Sequence, residues 1–71
     1  MAEWIPAELD YVAIPAEIAA EHGVEARGTI VLIPPGANVA TVECMRLGRR
    51  SDLETDLIYD LPFTSLRPVA A

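Results

Sequence analysis

Two runs of β-branched residues, joined by a proline–glycine turn, constrain the fold of this chain more than any other feature of its sequence. The runs cover residues 27–33 and 39–45, and the turn covers residues 34–38 with Pro35-Gly36 at its centre. Valine, isoleucine and threonine fit the pleated, half-buried surface of a sheet. Proline presets φ at the first central position of a type II turn, and glycine accepts the positive φ of the second. The sequence therefore predicts a β-hairpin over residues 27–45.

The two arms of this hairpin differ in their patterns. In the return arm, Val42 and Cys44 would face one side of the sheet while Thr41 and Glu43 face the other, which is typical of a strand with one wet face. The outgoing arm, residues 29–33, is apolar on both faces and is predicted to be covered on both sides. In a small protein the second cover is either another layer of the domain or another molecule.

The chain is short for a domain that must hold itself together. It has 71 residues and is expected to form a single domain, residues 1–71. Such a domain buries only about 60% of its unfolded surface, so disulfides, metals or oligomerisation commonly support it. One cysteine excludes an internal disulfide, and one histidine beside it argues against structural zinc. Because 52% of the residues are hydrophobic, we expect uncovered apolar surface, which symmetric homo-oligomers most commonly bury.

The net charge of −6 comes from eleven acidic residues against five arginines, with no lysine. An acidic chain argues against nonspecific nucleic-acid binding, which depends on cations that neutralise phosphates, and against binding to an anionic membrane. No run approaches the ~20 apolar residues of a membrane span. The first residues lack the basic and apolar regions of a signal peptide, so a cytoplasmic location is expected. Abundant alanine and arginine, without lysine or glutamine, suggest a GC-rich bacterial genome.

Ahead of the hairpin, the sequence predicts an arm, a strand and a helix. Residues 1–8 form the N-terminal arm, whose Trp4 either packs on the domain or binds a partner. Residues 9–14 have the composition of a first strand. Residues 15–22 are predicted to be a short helix, because proline suits the first helical turn and Gly23 suits a left-handed stop.

After the hairpin, a loop rich in arginine leads to a strand predicted over residues 53–61. Its alternation gives one apolar face and one acidic face, and Ile58 alone breaks the acidic face, which makes it a candidate interface residue. The predicted inward residues are Leu53, Thr55, Leu57, Tyr59 and Leu61. Residues 62–65 fit one tight 3₁₀ turn. Residues 66–69 are predicted to be a short closing strand that Pro68 restricts to an edge.

Five short strands and one helix predict a small closed or half-closed barrel. Three segments carry a family resemblance: Gly28-Thr29-Ile30-Val31, then Val42-Glu43-Cys44, then the close from Pro62 to Pro68. With these segments the chain, over about residues 9–69, resembles small bacterial SH3-like β-barrels of unknown function. The resemblance implies a mainly β fold, an SH3-like five-stranded barrel with one short helix after the first strand. SH3-like barrels serve many functions, so the fold implies none of them.

A second resemblance covers residues 11–33. The segment from Val12 to Ile18, followed by Gly23-Val24 and an apolar strand, is similar to the swapped-hairpin fold of transition-state regulators and antitoxins. That resemblance implies a dimer that binds DNA through basic residues near the first loop and helix. Here alanines follow Ile18 where an arginine is usual, and glutamates lie close by, so nucleic acid is not the expected partner.

The single cysteine and the single histidine are expected to be structural. His22 lies in the last helical turn, where it can cap a carbonyl, and Cys44 reads as a small core residue. Because no motif supplies a paired base or further ligands, we predict no catalytic residue, no cofactor and no metal site. Glu54, Asp56 and Asp60 could serve acid–base chemistry or bind a divalent cation, but an acidic strand edge that resists aggregation explains them as well.

These patterns favour a small non-catalytic binding module whose partner is another protein and which forms a homo-oligomer. Interface cores are enriched in aromatic residues and arginine, and loop arginines also pair with nearby acidic residues. The predicted contact residues are therefore the outward apolar residues, with the arginine loop at the rim: Trp4, Ile58, Phe63, Arg46, Arg49 and Arg50. One alternative is a DNA-binding swapped-hairpin regulator or antitoxin, and another is the accessory subunit of an enzyme.

Overall fold

The fold was obtained as a computed structural model, which describes residues 4–69. Within that range, five antiparallel strands form one sheet in the order β4-β3-β2-β1-β5, with a single short helix after the first strand. The elements are β1 (Tyr11–Ala13), α1 (Ala16–His22), β2 (Val24–Leu32), β3 (Val39–Arg46), β4 (Thr55–Pro62), a 3₁₀ turn (Phe63–Ser65) and β5 (Arg67–Pro68). The mainly β class and the position of the helix are confirmed. Closure of the sheet into an SH3-like barrel stays a prediction, and the first three residues of the N-terminal arm lie outside the described range.

The predicted hairpin is present as β2 and β3. The two strands pair antiparallel, and Gly36 in the connecting turn has φ 75°, the left-handed backbone expected of the glycine in a type II turn. β2 begins at Val24, earlier than the predicted arm. Gly23, with φ 66°, ends α1 through bonds from its N–H to the carbonyls of the last turn, and the strand starts at the next residue. The left-handed cap thus leads directly from helix to sheet.

The buried hydrophobic residues of the strands lie on one face of the sheet, which we call the inner face. Ile30, Val42 and Ile58 are cross-strand partners on β2, β3 and β4, and their exposed fractions are only 0–3%. The helix contributes Ala19 to the same core. The full cluster is Val12, Ile14, Ala19, Val24, Ile30, Ala40, Val42, Cys44, Ile58, Leu61 and Leu66.

Gly28 lies on the central strand of three, where the backbones leave no space for a side chain. It pairs with Val12 on β1 and with Cys44 on β3. A Cβ atom at this position would lie 2.3 Å from the carbonyl oxygen of Glu43 and 2.8 Å from Sγ of Cys44. No side chain fits there, so glycine is required by space rather than by its backbone conformation.

The predicted orientation of β4 is wrong. Ile58 was expected to point outward, but its register opposite Val42 places it in the core, whereas Leu57 and Tyr59 are 41% and 66% exposed. The strand also begins at Thr55, and Leu53 lies in the preceding loop with 91% of its surface exposed. Leu61 is nevertheless buried as predicted, because an irregularity beside Asp60, which has φ 56°, reverses the alternation before Leu61.

The remaining elements follow the predictions with small shifts. The helix, the 3₁₀ turn and the closing edge strand lie where they were expected, each shorter by one or two residues. The first strand is shorter still, although its pairing continues before Tyr11. There the N–H of Leu9 donates to the carbonyl of Ile30 at 2.8 Å, and the N–H of Ile30 donates to the carbonyl of Asp10 at 2.9 Å. The one helix in the described part of the chain is too short to cross a membrane.

Candidate functional site

The three apolar residues predicted to form an outward contact surface are not among the most exposed hydrophobic side chains of residues 4–69. Ile58 belongs to the core. Trp4 and Phe63 are half-buried and pack against that same core. For Trp4 this agrees with the expectation that the arm packs on the domain. The surface available to a partner must therefore be sought elsewhere.

The three arginines predicted to form a cationic loop, of which Arg46 ends β3 and the other two lie in the β3–β4 loop, are largely engaged by carboxylates. Nε of Arg46 lies 3.6 Å from Oδ2 of Asp56. The guanidinium of Arg49 bonds to Glu25 on β2 and lies 3.5 Å from Asp52. The hydrogen bond to Glu25 raises the pKa of Arg49. The loop is therefore fastened to β2 through one of its arginines.

Arg50 differs from its two neighbours. Among the residues that the structure describes, its side chain has no carboxylate partner, and it is exposed. Its backbone N–H donates to Oε2 of Glu54 at 2.9 Å. Of the three loop arginines, Arg50 is the one whose charge is free for an external anion.

The side chains that could act in catalysis or metal binding are dispersed or buried. Cys44 is fully buried, and this burial, with smaller contributions from Glu25 and Glu43, raises the pKa of its thiol to about 11. The thiol is thus protonated near neutral pH and is a poor nucleophile. His22 is exposed at the end of α1. Across residues 4–69, no three or more His, Cys, Asp or Glu side chains cluster in a way that could hold a metal ion.

Both strands that pair with β3 shift register beside Thr41, and we interpret these two shifts as β-bulges. On β2, Ile30 pairs with Val42 and Leu32 with Thr41, so β2 has one residue more than β3 over this stretch. On β4, the pairing with β3 shifts by one residue in the stretch opposite Thr41. Bulges bend a strand and redirect its side chains, and they are frequent beside functional sites.

Large apolar side chains lie on the outer face of the sheet around these register shifts. Thr41 alternates with Ala40 and Val42, which are buried on the inner face, so its side chain points outward. It is nevertheless only 6% exposed, and we infer that neighbouring side chains on the outer face cover it. We call these neighbours the outer patch. Its four members, Val31, Leu32, Leu57 and Tyr59, are 39%, 49%, 41% and 66% exposed.

Sequence reasoning named none of the four outer-patch residues as site residues. The signal for Val31 and Leu32 was the outgoing arm with apolar residues on both faces, for which a second cover was expected. For Leu57 and Tyr59 the alternation was found, but the wrong face was assigned to the core. Glu43 borders the patch, and its Oε2 accepts a hydrogen bond of 3.1 Å from the hydroxyl of Thr55.

The outer patch is therefore the feature from which a function can be argued. It combines exposed aliphatic and aromatic side chains with an acidic border, on three strands whose register is fixed by the core. The chain finds no match among models of protein families, among curated proteins or among solved structures.

Proposed function

We propose that the protein is a small non-catalytic module that binds another protein through the outer patch. The observation that carries this proposal is the group of four large hydrophobic side chains, 39–66% exposed, gathered on one sheet face around the covered Thr41. Single exposed hydrophobic residues are common, but groups of them mark interaction surfaces. A tyrosine among aliphatic residues is also typical of interface cores.

The charge of the molecule supports a protein as the partner. With a net charge of −6, nucleic acid and anionic lipid would both be repelled at long range. Glu43 borders the patch and Asp60 follows Tyr59 directly, so the nearest charges are also acidic. An apolar surface with acidic borders suits a partner with apolar and basic residues.

The area of the patch determines how tightly it is expected to bind a partner. Complete burial of the four side chains would remove on the order of 400 Å² from water, a gross gain of about 10 kcal/mol at ~25 cal/mol per Å². Association itself costs about 4–15 kcal/mol. The patch alone therefore supports weak binding, and a stable complex needs further contacts beside it.

Two substitutions and a matched control test this proposal. Leu32→Ser and Tyr59→Ser each remove an apolar contact from the patch, whereas Leu53→Ser removes a more exposed leucine from the loop before β4. Wild-type protein and each variant are immobilised, and the proteins captured from the native host are quantified by mass spectrometry. We expect at least one protein whose recovery falls about tenfold or more with both patch variants and is unchanged with Leu53→Ser. Equal recovery by all four baits would refute the proposal.

A further inference from the structure

We infer that the free edge of β4 receives an extended segment of the partner protein, with alternating basic and apolar residues, as an additional strand. This inference rests on the proposed function and names the further contacts that the outer patch requires. It depends on three properties of β4: an uncovered edge, unpaired backbone groups and an acidic character.

The edge of β4 is uncovered. β4 is the end strand of the sheet, and within residues 4–69 β3 is the one element in more than marginal contact with it. The other end strand, β5, has only two residues, one of which is Pro68. Because proline has no N–H to donate, β5 offers little to a further strand. β4, with eight residues, is the edge long enough to accept one.

The register shows which backbone groups face outward. The N–H of Arg46 donates to the carbonyl of Glu54 at 3.0 Å, which makes these two residues a hydrogen-bonded pair. Such pairs alternate with non-bonded pairs along an antiparallel ladder. The partners Met45–Thr55 and Glu43–Leu57 are therefore non-bonded pairs. The N–H and C=O groups of Thr55 and Leu57 point away from β3, where an added strand would find them.

The useful part of this edge is its first half. Asp60, with φ 56°, interrupts the ladder, and Pro62 ends the strand without an N–H. Tyr59 lies just before the interruption and belongs to the outer patch. An incoming strand that pairs with Thr55 and Leu57 would thus lie alongside the patch and could cover both of its β4 residues.

The acidic side chains on the edge indicate that a basic segment, and not a second copy of this chain, binds there. The segment from residue 54 to residue 60 contains Glu54, Asp56 and Asp60 and no basic residue. A second copy that pairs antiparallel in the first half of the edge, about Thr55, would place Glu54 opposite Asp56 of the other copy, and directly opposed like charges are destabilising. A basic segment in the first half of the edge meets the opposite sign at Asp56, whose solvent-exposed ion pair with Arg46, at 3.6 Å, compensates its charge only in part.

The pleat of β4 determines which residue types should alternate along the partner segment. Leu57 and Tyr59 point to the outer face, whereas Asp56 lies in the same cross-strand row as Cys44, on the opposite side. Residues of an added strand alternate in the same way. The segment therefore places apolar residues beside Leu57 and Tyr59 and arginine or lysine beside Asp56, in strict alternation.

A labelled eight-residue peptide of alternating arginine and valine is the probe. It is compared with a peptide of the same composition in two blocks and with an analogue N-methylated at every backbone nitrogen, which has no N–H to donate from either edge. By fluorescence anisotropy we expect the alternating peptide to bind about tenfold or more tightly than either. In the complex, the amides of Thr55 and Leu57 gain hydrogen-exchange protection. Equal binding of the block peptide, or unchanged exchange at these two amides, would overturn the inference.

Matched variants locate the contact. Asp56→Asn and Leu57→Ser should each weaken the alternating peptide about three- to tenfold. Asp52→Asn and Leu53→Ser should leave it unchanged. Asp52 is a fair control because it also lies within about 3.6 Å of an arginine, but in the loop. Thermal unfolding measures whether each variant is folded. If Leu57→Ser does not fold, Asp56→Asn still tests the inference.

The remaining results separate this inference from the proposed function. If no peptide binds while Leu32→Ser still abolishes partner capture, the edge is not the contact and the outer-patch function stands. If the peptide does not bind the wild type, and the double variant Asp56→Asn/Asp60→Asn forms larger assemblies than the wild type does, the acidic edge serves only to prevent pairing between copies, and the inference fails. If neither the peptide nor any patch-dependent partner binds, both proposals fail.

Discussion

Replacing Gly28 with alanine places a methyl group where the structure has no room for one. The new Cβ would lie 2.3 Å from the carbonyl oxygen of Glu43, a backbone atom that cannot move unless β2 separates from β3. Overpacking a rigid site costs about 1–3 kcal/mol or more, whereas alanine in an ordinary strand would be favoured by roughly 0.5–1 kcal/mol. Because the contact is with backbone, the cost should lie at or above the top of that range, and we expect a net loss of about 2 kcal/mol or more in the free energy of unfolding.

That loss is large for a chain of this size. A 71-residue domain has roughly 4–10 kcal/mol of total stability, and each kcal/mol lowers Tm by about 4–8 °C. Urea unfolding followed by circular dichroism measures the loss directly. The expected result is a lower midpoint with an unchanged slope, since the surface exposed on unfolding does not change.

Two further variants identify the cause of the loss. Gly23→Ala meets no atom within 4 Å but keeps a left-handed φ of 66°, so it should cost only about 1 kcal/mol. Cys44→Ala, added to Gly28→Ala, removes the contact with Sγ at 2.8 Å but leaves the carbonyl contact, so it should restore little. A Gly28→Ala variant no less stable than Gly23→Ala, or full rescue by Cys44→Ala, would refute the explanation.

Three other predictions follow from burial, charge and exposed surface. Ile58→Ala should lower the free energy of unfolding by about 2–5 kcal/mol because Ile58 is 3% exposed, whereas Leu57→Ala should lower it by less than about 1 kcal/mol. The reverse order in urea unfolding would mean that β4 has the orientation predicted from the sequence. Burial raises the pKa of Cys44 from 9.0 to about 11, so the thiol of the unfolded chain loses its proton at lower pH than that of the folded chain. Stability should therefore fall as pH rises through that interval, by up to about 1.4 kcal/mol per pH unit. The Cys44→Ala variant should lack that part of the pH dependence, and an identical profile would contradict it. Light scattering at micromolar concentration should give a mass above that of one chain, as the predicted homo-oligomer requires, and the mass of a single chain would refute it.

The parts of the fold that depend on local chemistry were predictable from the sequence. Pro35-Gly36 specifies its turn by backbone preference, and Gly23 stops the helix in the same way. The orientation of β4 was not predictable, because alternation defines two faces without saying which one meets the core. The pairing of Ile58 with Val42 decides that question, and pairing is a property of the whole sheet.

The outer patch was hidden for a related reason. A bulge adds a residue to one strand relative to its neighbour, so neither strand carries the information alone. At Asp60 the left-handed backbone is adopted by an aspartate instead of a glycine, which removes the usual sequence signal. The apolar run that includes Val31 and Leu32 did indicate a second cover, but which of its residues would be exposed depends on the bulge.

The same bulges show why the apolar character of the patch is not explained by folding. The inner-face positions of these strands are already filled by Ile30, Val42 and Ile58, which are 0–3% exposed. The outer-patch residues face outward, where a polar side chain would be accommodated equally well and would protect the chain from association. Leu32 and Tyr59 instead remain half or more exposed to water, at a cost in solubility that the core does not require. The outer patch is therefore apolar where the fold permits polar residues. It also adjoins an acidic strand edge with free backbone groups. Together these are the properties of a site for a strand from another protein.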